Sequence, residues 1–214
     1  MNNDSNNIVI TVGRQFGSGG RELGRLLARD LGISYYDKEL LFEAAKSAGV
    51  SPEFFERRDE RSPSFFNGLF SFAFGHTPLS YYSGSTSISD DGIYKAYSDF
   101  MRALATRESC VIVGRTADYI LRDHPRCVNL FVHAPVEERV RRIMRRSPEI
   151  TDPAKARAMA ERTNKLRANY YNFYTDKTWG DAASYDLTFD SSLLDMGQIV
   201  DMVKHYMRLR GFIS

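Results

Sequence analysis

Between Ile8 and Gly24 the chain passes from a β-branched apolar run, IVITV, into GRQFGSGGRELG, a glycine-rich turn that opens onto a helical pattern. Few folds accommodate that junction. Glycines permit positive φ and let backbone amides approach an anion with no Cβ in the way. The helix that follows adds free N–H groups and the positive end of its dipole. Leu23, Leu26, Leu27 and Leu31 form one apolar face, Gly24 and Ala28 leave room for close packing on a sheet, and Arg21, Arg25 and Arg29 make an i, i+4 row. A tight strand-to-helix turn without a ligand is the bland alternative. The pattern favours bound phosphate.

The rest of the chain keeps the same alternation. Ile8–Val12, Cys110–Val113 and Val128–Val132 read as buried strands, with Ser34–Tyr36 and Tyr185–Phe189 as weaker ones. Helical patterns cover Gly20–Leu31, Lys38–Ala48, Gly92–Arg107, Val136–Arg146, Ala154–Tyr174 and Met196–Arg210. Such alternation predicts right-handed crossovers and a parallel sheet of about five strands with helices on both faces. The 214 residues suit one α/β domain spanning 1–214. One stretch breaks the rhythm: residues 62–91 set Phe65, Phe66, Phe70, Phe72, Phe74, Tyr81 and Tyr82 among Gly, Ser and Pro. It reads either as a flexible insertion, or as a lobe that closes over a substrate or joins a second copy in a homodimer.

Composition narrows the function classes. A 26% charged, 13% aromatic chain is neither disordered nor collagen-like. Its formal charge of +2 announces no nucleic-acid binding. Two cysteines, each opening an apolar run, point to buried thiols rather than a disulfide scaffold. The polar start Met1–Asn7 lacks a basic, then apolar, leader, and no run approaches the roughly 20 apolar residues of a bilayer span. A cytoplasmic protein without membrane contact is the expectation. The four histidines show no zinc spacing, there is no Gly-x-Ser-x-Gly elbow, and the metal ligands stay unknown.

Two phosphate-binding families own loops of this kind. Gly13-x-x-x-Gly17-x-Gly19 resembles the fingerprint of short-chain dehydrogenases, with Asp37 near the place of the ribose-binding acid. That family also needs a Tyr-x-x-x-Lys pair, and none of the twelve tyrosines has Lys four residues on. An NAD(P)-dependent reductase is thus the remote alternative. The second resemblance reaches further. Gly13–Gly24, then YYDKEL at Tyr35–Leu40, GRTADYIL at Gly114–Leu121, RANYY at Arg167–Tyr171 and YDL at Tyr185–Leu187 are similar, in this order, to the cytidylate kinase-like family of nucleoside monophosphate kinase folds.

That resemblance implies a P-loop kinase-like three-layer α/β fold with a helical lid at about 139–175. It also implies ATP as phosphoryl donor, Mg²⁺, and a nucleoside monophosphate such as CMP as acceptor. The departures are specific. Where a P-loop ends Gly-Lys-Ser/Thr, this chain has Gly20 at the lysine position and Glu22 where cytidylate kinases carry Thr. Arg14, Gly17, Ser18, Gly19, Gly20, Arg21 and Glu22 are then the expected phosphate-binding residues, with Arg14 or Arg21 supplying the missing charge. Glu22 would have to meet Mg²⁺ through its carboxylate, or not at all.

On the acceptor side the resemblance implies Asp37, Arg115, Asn164 and Arg167. Asp37 is followed by Lys38 instead of the family's Ser, a family Arg is replaced by Glu43, and a family Asp has become Asn164. N-capping is the structural alternative for Asp37, and Thr116 is a candidate N-cap after Arg115. Residues Arg139–Arg146 read RVRRIMRR. Their place in the lid makes Arg142 and Arg145, with Arg21, the candidates for neutralising a transition state, and a solvated helix face is the alternative. A non-catalytic nucleotide-binding sensor on the same fold remains the competing function.

Overall fold

The computed structural model describes residues 6–47 and 90–214. In chain order the elements are β1 (Val9–Arg14), α1 (Gly20–Leu31), β2 (Ser34–Tyr36), α2 (Lys38–Ser47), α3 (Asp90–Arg107), β3 (Cys110–Val113) and α4 (Ala117–Ile120). They continue with β4 (Cys127–His133), α5 (Val136–Arg146), α6 (Pro153–Tyr174), a 3₁₀ turn (Ala182–Ser184), β5 (Leu187–Asp190) and α7 (Met196–Leu209). The aromatic stretch 62–91 lies outside the described residues except for Asp90 and Asp91, which open α3.

The five strands form one parallel sheet in the order β2-β3-β1-β4-β5. Strand β1 is central, with Val9 opposite Cys110 on one side and Cys127 on the other. Because side chains alternate across a strand, the two faces of the sheet build separate cores. Val9 and Ile112 pack with Leu41, Met101, Leu104 and Ile120 of α2, α3 and α4. Ile10, Val12, Val111 and Val128 pack with Leu23 and Leu27 of α1 and Ile199, Val203 and Met207 of α7. A third, smaller cluster joins Val140 and Ile143 of α5 to Ala156 and Ala160 of α6.

This strand order disposes of the dinucleotide alternative. A Rossmann sheet sets β1 beside β2, whereas here β3 lies between them. Most expected boundaries coincide with the observed ones. The last strand begins at Leu187 rather than Tyr185, because the Tyr185 amide closes the preceding 3₁₀ turn onto Ala182. Thr116 does not cap α4 through its side chain; its hydroxyl donates to the Arg115 carbonyl at 2.6 Å.

Candidate functional site

The glycine loop lies at the carboxyl end of β1, the edge where open α/β sheets bind ligands. Gly17 and Gly19 hold φ of 81° and 88°, which lets the chain turn from strand to helix. The loop is braced from below. The Ser18 hydroxyl, fully buried, donates toward the carbonyls of Gln15 and Val132 at 2.9 Å, and Gln15 Oε1 accepts from the Ala134 amide. The first amides of α1 have no partner inside the helix, as at any N-terminus, and Gly19 caps it without a side chain.

Arg14 explains the missing lysine. A Cβ at Gly20 would come within 2.5 Å of Arg14 Cβ, so no side chain fits at that position. From there the Arg14 side chain runs along the sheet edge to Gly114, where a Cβ would fall 2.0 Å from Nη1. Arg14 therefore takes up the room a lysine at Gly20 would need and carries its charge toward β3. Burial, then the neighbouring Arg21 and Arg115, lower its pKa to about 10, and it stays protonated at neutral pH.

Arg115 arrives from the other direction. Gly114, Arg115 and Thr116 all have positive φ (82°, 62° and 54°), uncommon for Arg and more so for a β-branched residue. Thr116 is held in place by Arg115 O and by a 3.2 Å hydrogen bond shared with the Tyr94 hydroxyl. The Arg115 guanidinium lies 5.0 Å over the Tyr97 ring and hydrogen-bonds Tyr170, and its Nε is buried with no hydrogen-bond partner. Tyr94, Tyr170 and Tyr174 pack against one another around it.

Lys38, the first residue of α2, joins this group. Burial, then Arg115, and further Arg21 and Arg14, pull its pKa down to about 8 against the opposing pull of Glu39. Arg167 completes the set. Its Nη1 donates to the Arg14 carbonyl at 2.9 Å and its guanidinium sits 5.6 Å over the Phe16 ring. Burial first, then Arg14 and Arg21, hold its pKa well below the usual arginine value. Arg14, Lys38, Arg115 and Arg167 thus gather beside the glycine loop, with Arg21 close by.

Asp37 serves this cluster as an organiser. Its Oδ1 accepts from the Leu40 amide at 3.3 Å, capping α2, and its Oδ2 faces Tyr35 OH, Arg21 and Arg25. Burial alone would raise its carboxyl, but the Leu40 amide, Arg21 and the Tyr35 hydroxyl outweigh it and hold the pKa below the ordinary value. Arg21 also bonds Glu39 at 2.9 Å. Its side chain is thereby turned toward the start of α2.

The arginines of α5 divide by helix face. Arg142 of α5 donates to Ser18 O, Ser191 Oγ and Ser191 O at 2.9, 2.7 and 2.6 Å. Arg139 bonds Ala134 O at 3.0 Å and reaches Phe16 O at 3.5 Å, and Arg146 pairs with Glu22. These three clasp the loop, so Arg142 is a fastening rather than a mobile cation. Arg145 is exposed. Asn164 does not reach the Arg115–Lys38 group; its Oδ1 accepts from the Phe16 amide at 2.7 Å and so docks α6 on the loop. The bracing roles of Gln15 and Ser191 carry no signal in the sequence, and Lys38 stands out there only as a departure from the family's Ser beside Asp37.

Magnesium does not fit the donor set. It asks for one or two carboxylates or hydroxyls beside phosphate oxygens and water. Ser18 points into the floor, Glu22 is paired with Arg146, and among the described residues no three His, Cys, Asp or Glu side chains gather as a metal site.

A parallel sheet in this order, with a glycine loop after its central strand and a clasping helical pair, defines a P-loop kinase fold. Shikimate kinase from Acinetobacter baumannii, solved with shikimate, shares it at TM-score 0.51 and 15% identity, over 96% of both chains. The chain belongs to the cytidylate kinase-like family, whose model matches residues 9–193. A cytidylate kinase of Methanosarcina barkeri is 26% identical over 196 residues, covering 91% of this chain and 93% of its own. An uncharacterized protein from Eubacterium ventriosum, known by crystal structure, is 32% identical at TM-score 0.70, over 94% of this chain and 98% of that one. Among the described residues no helix is long and apolar enough to cross a membrane.

Proposed function

We propose that this protein is a nucleotide kinase that moves a phosphoryl group from a nucleoside triphosphate, ATP in the first instance, to a nucleoside monophosphate such as CMP. One observation carries the reading: Arg14, Lys38, Arg115 and Arg167 gather beside the glycine loop, where burial first and the neighbouring cations second lower the pKa values of Arg14, Lys38 and Arg167. Such a cluster is costly when empty and is relieved by a phosphate dianion. A sugar or shikimate hydroxyl would not neutralise it.

In this reading the loop amides and the α1 N-terminus receive the donor phosphates. Arg115, Lys38 and Arg167 hold the acceptor phosphate, and Arg14 lies between the two. Asp37 fixes Arg21 and the start of α2, and Arg145 on the exposed face of α5 is one cation placed to meet developing charge. Phosphoryl transfer asks the protein for position and electrostatics more than for covalent chemistry.

A nucleotide sensor without turnover is the second reading, favoured by Gly20, where no lysine fits. Coupled ADP detection across nucleoside monophosphates, with shikimate and gluconate as phosphate-free acceptors, separates the two. ADP formed only with a monophosphate is the expected result. Triphosphate binding without ADP for any acceptor assigns the chain to the sensor class.

A further inference from the structure

We propose that the site takes its nucleoside triphosphate free of divalent cation, with the Arg146 guanidinium, anchored by Glu22, supplying charge that a metal ion supplies in ordinary phosphoryl transfer. The proposal rests on the nucleotide reading above. Its starting point is the first turn of α1, where a P-loop offers its hydroxyl and its lysine and this chain offers neither.

Glu22 is the acidic residue of that turn, and its carboxylate is closed by Arg146 from the end of α5. The Ser18 hydroxyl is spent on main-chain carbonyls beneath the loop. A cation arriving here would find no cluster of three His, Cys, Asp or Glu side chains among the described residues. It would also enter the field of Arg14, Arg21, Arg142 and Arg146. Arg146 suits the substitute role. Its side chain is 45% exposed and that of Glu22 46%, and only Nη2 meets the carboxylate, so the guanidinium can keep Glu22 and offer its other donors to a phosphate. A guanidinium meets phosphate oxygens through two parallel hydrogen bonds. Arg142, fixed to Ser18 and Ser191, holds the helix that delivers it.

The test is calorimetric titration of the full chain with ATP, once with EDTA and once with excess magnesium. The expected outcome is an affinity in EDTA equal to or tighter than that in magnesium, since the metal competes for the ligand. Binding that tightens tenfold or more on adding magnesium overturns the proposal. Absence of binding in both solutions overturns the nucleotide reading itself, and the proposal with it. Arg146→Ala should weaken metal-free binding at least tenfold, or about 1.4 kcal/mol. Arg141→Ala, an exposed arginine of the same helix paired with Glu138, should leave it unchanged. An unaltered affinity in Arg146→Ala, or an equal loss in both variants, removes Arg146 from the role.

Discussion

Gly20 and Arg14 are a single solution reached through two residues. An ordinary P-loop puts a lysine stem where this chain puts the Cβ and Cγ of Arg14, 2.5 and 3.0 Å from any Cβ at position 20. Restoring the lysine alone must therefore overpack the base of the loop. Gly20→Lys is expected to cost about 1–3 kcal/mol of stability, read as a lower urea midpoint at constant slope. Combining it with Arg14→Gly should recover most of that loss, because the second change empties the contested space. Additive loss in the double variant would show that the two positions are not coupled. The sequence made the absence of lysine plain and left Arg14 and Arg21 open as its replacement. In the fold the two lie apart: Arg14 fills the space beside Gly20, and Arg21 is drawn off to Asp37 and Glu39.

Among the elements, α5 carries the lesson about what sequence conceals. Its bounds, Val136–Arg146, coincide with the expected helix, as do those of α1 and β2, because amphipathic period and β-branched runs are local signals. The partners of its five arginines are not local. RVRRIMRR reads as one cationic run, yet Arg139, Arg142 and Arg146 turn with Val140 and Ile143 toward the loop while Arg141 and Arg145 face solvent. The helical repeat sorts 139, 142, 143 and 146 onto one face; what that face meets is set by chain more than a hundred residues away. Arg142→Ala removes three hydrogen bonds from a guanidinium to the loop and the end of β5. The expected loss is about 1.5–3 kcal/mol, with faster amide exchange at Ser18 and Gly19. Arg142→Lys should lie between, since an ammonium cannot serve both serines in the same plane. An unchanged denaturation midpoint and exchange pattern in Arg142→Ala would refute the clasp.

At the scale of the whole molecule, 29 basic against 27 acidic residues average to a net charge of +2 that describes no part of it. Many carboxylates pair along surface helices, as in Lys95–Asp99 and Lys204–Asp30, while Arg14, Lys38, Arg115 and Arg167 gather at the sheet edge, where Asp37 and Glu39 offset only part of their charge. An empty protein then stores a penalty that an anion releases. Sulfate, whose charge is constant over the accessible pH range, is expected to stabilise the fold well beyond chloride at equal ionic strength. At about 100 times its Kd the gain is about 2.7 kcal/mol, or a rise in Tm of about 5–10 °C for a chain of this size. Its pH dependence follows from Lys38. The folded-state pKa of about 8 lies below the ordinary 10.5, so between those values the unfolded chain binds the extra proton and the free protein gains stability as pH rises. Sulfate restores the charged amine and must draw in a proton, so its stabilisation is largest below pH 8 and shrinks toward pH 9. Lys38→Met should flatten that slope and raise the Tm of the sulfate-free protein at neutral pH. Differential scanning calorimetry with sulfate and chloride decides the matter: equal shifts for the two anions would dissolve the cluster as a binding site, and an unaltered slope in Lys38→Met would remove Lys38 from it.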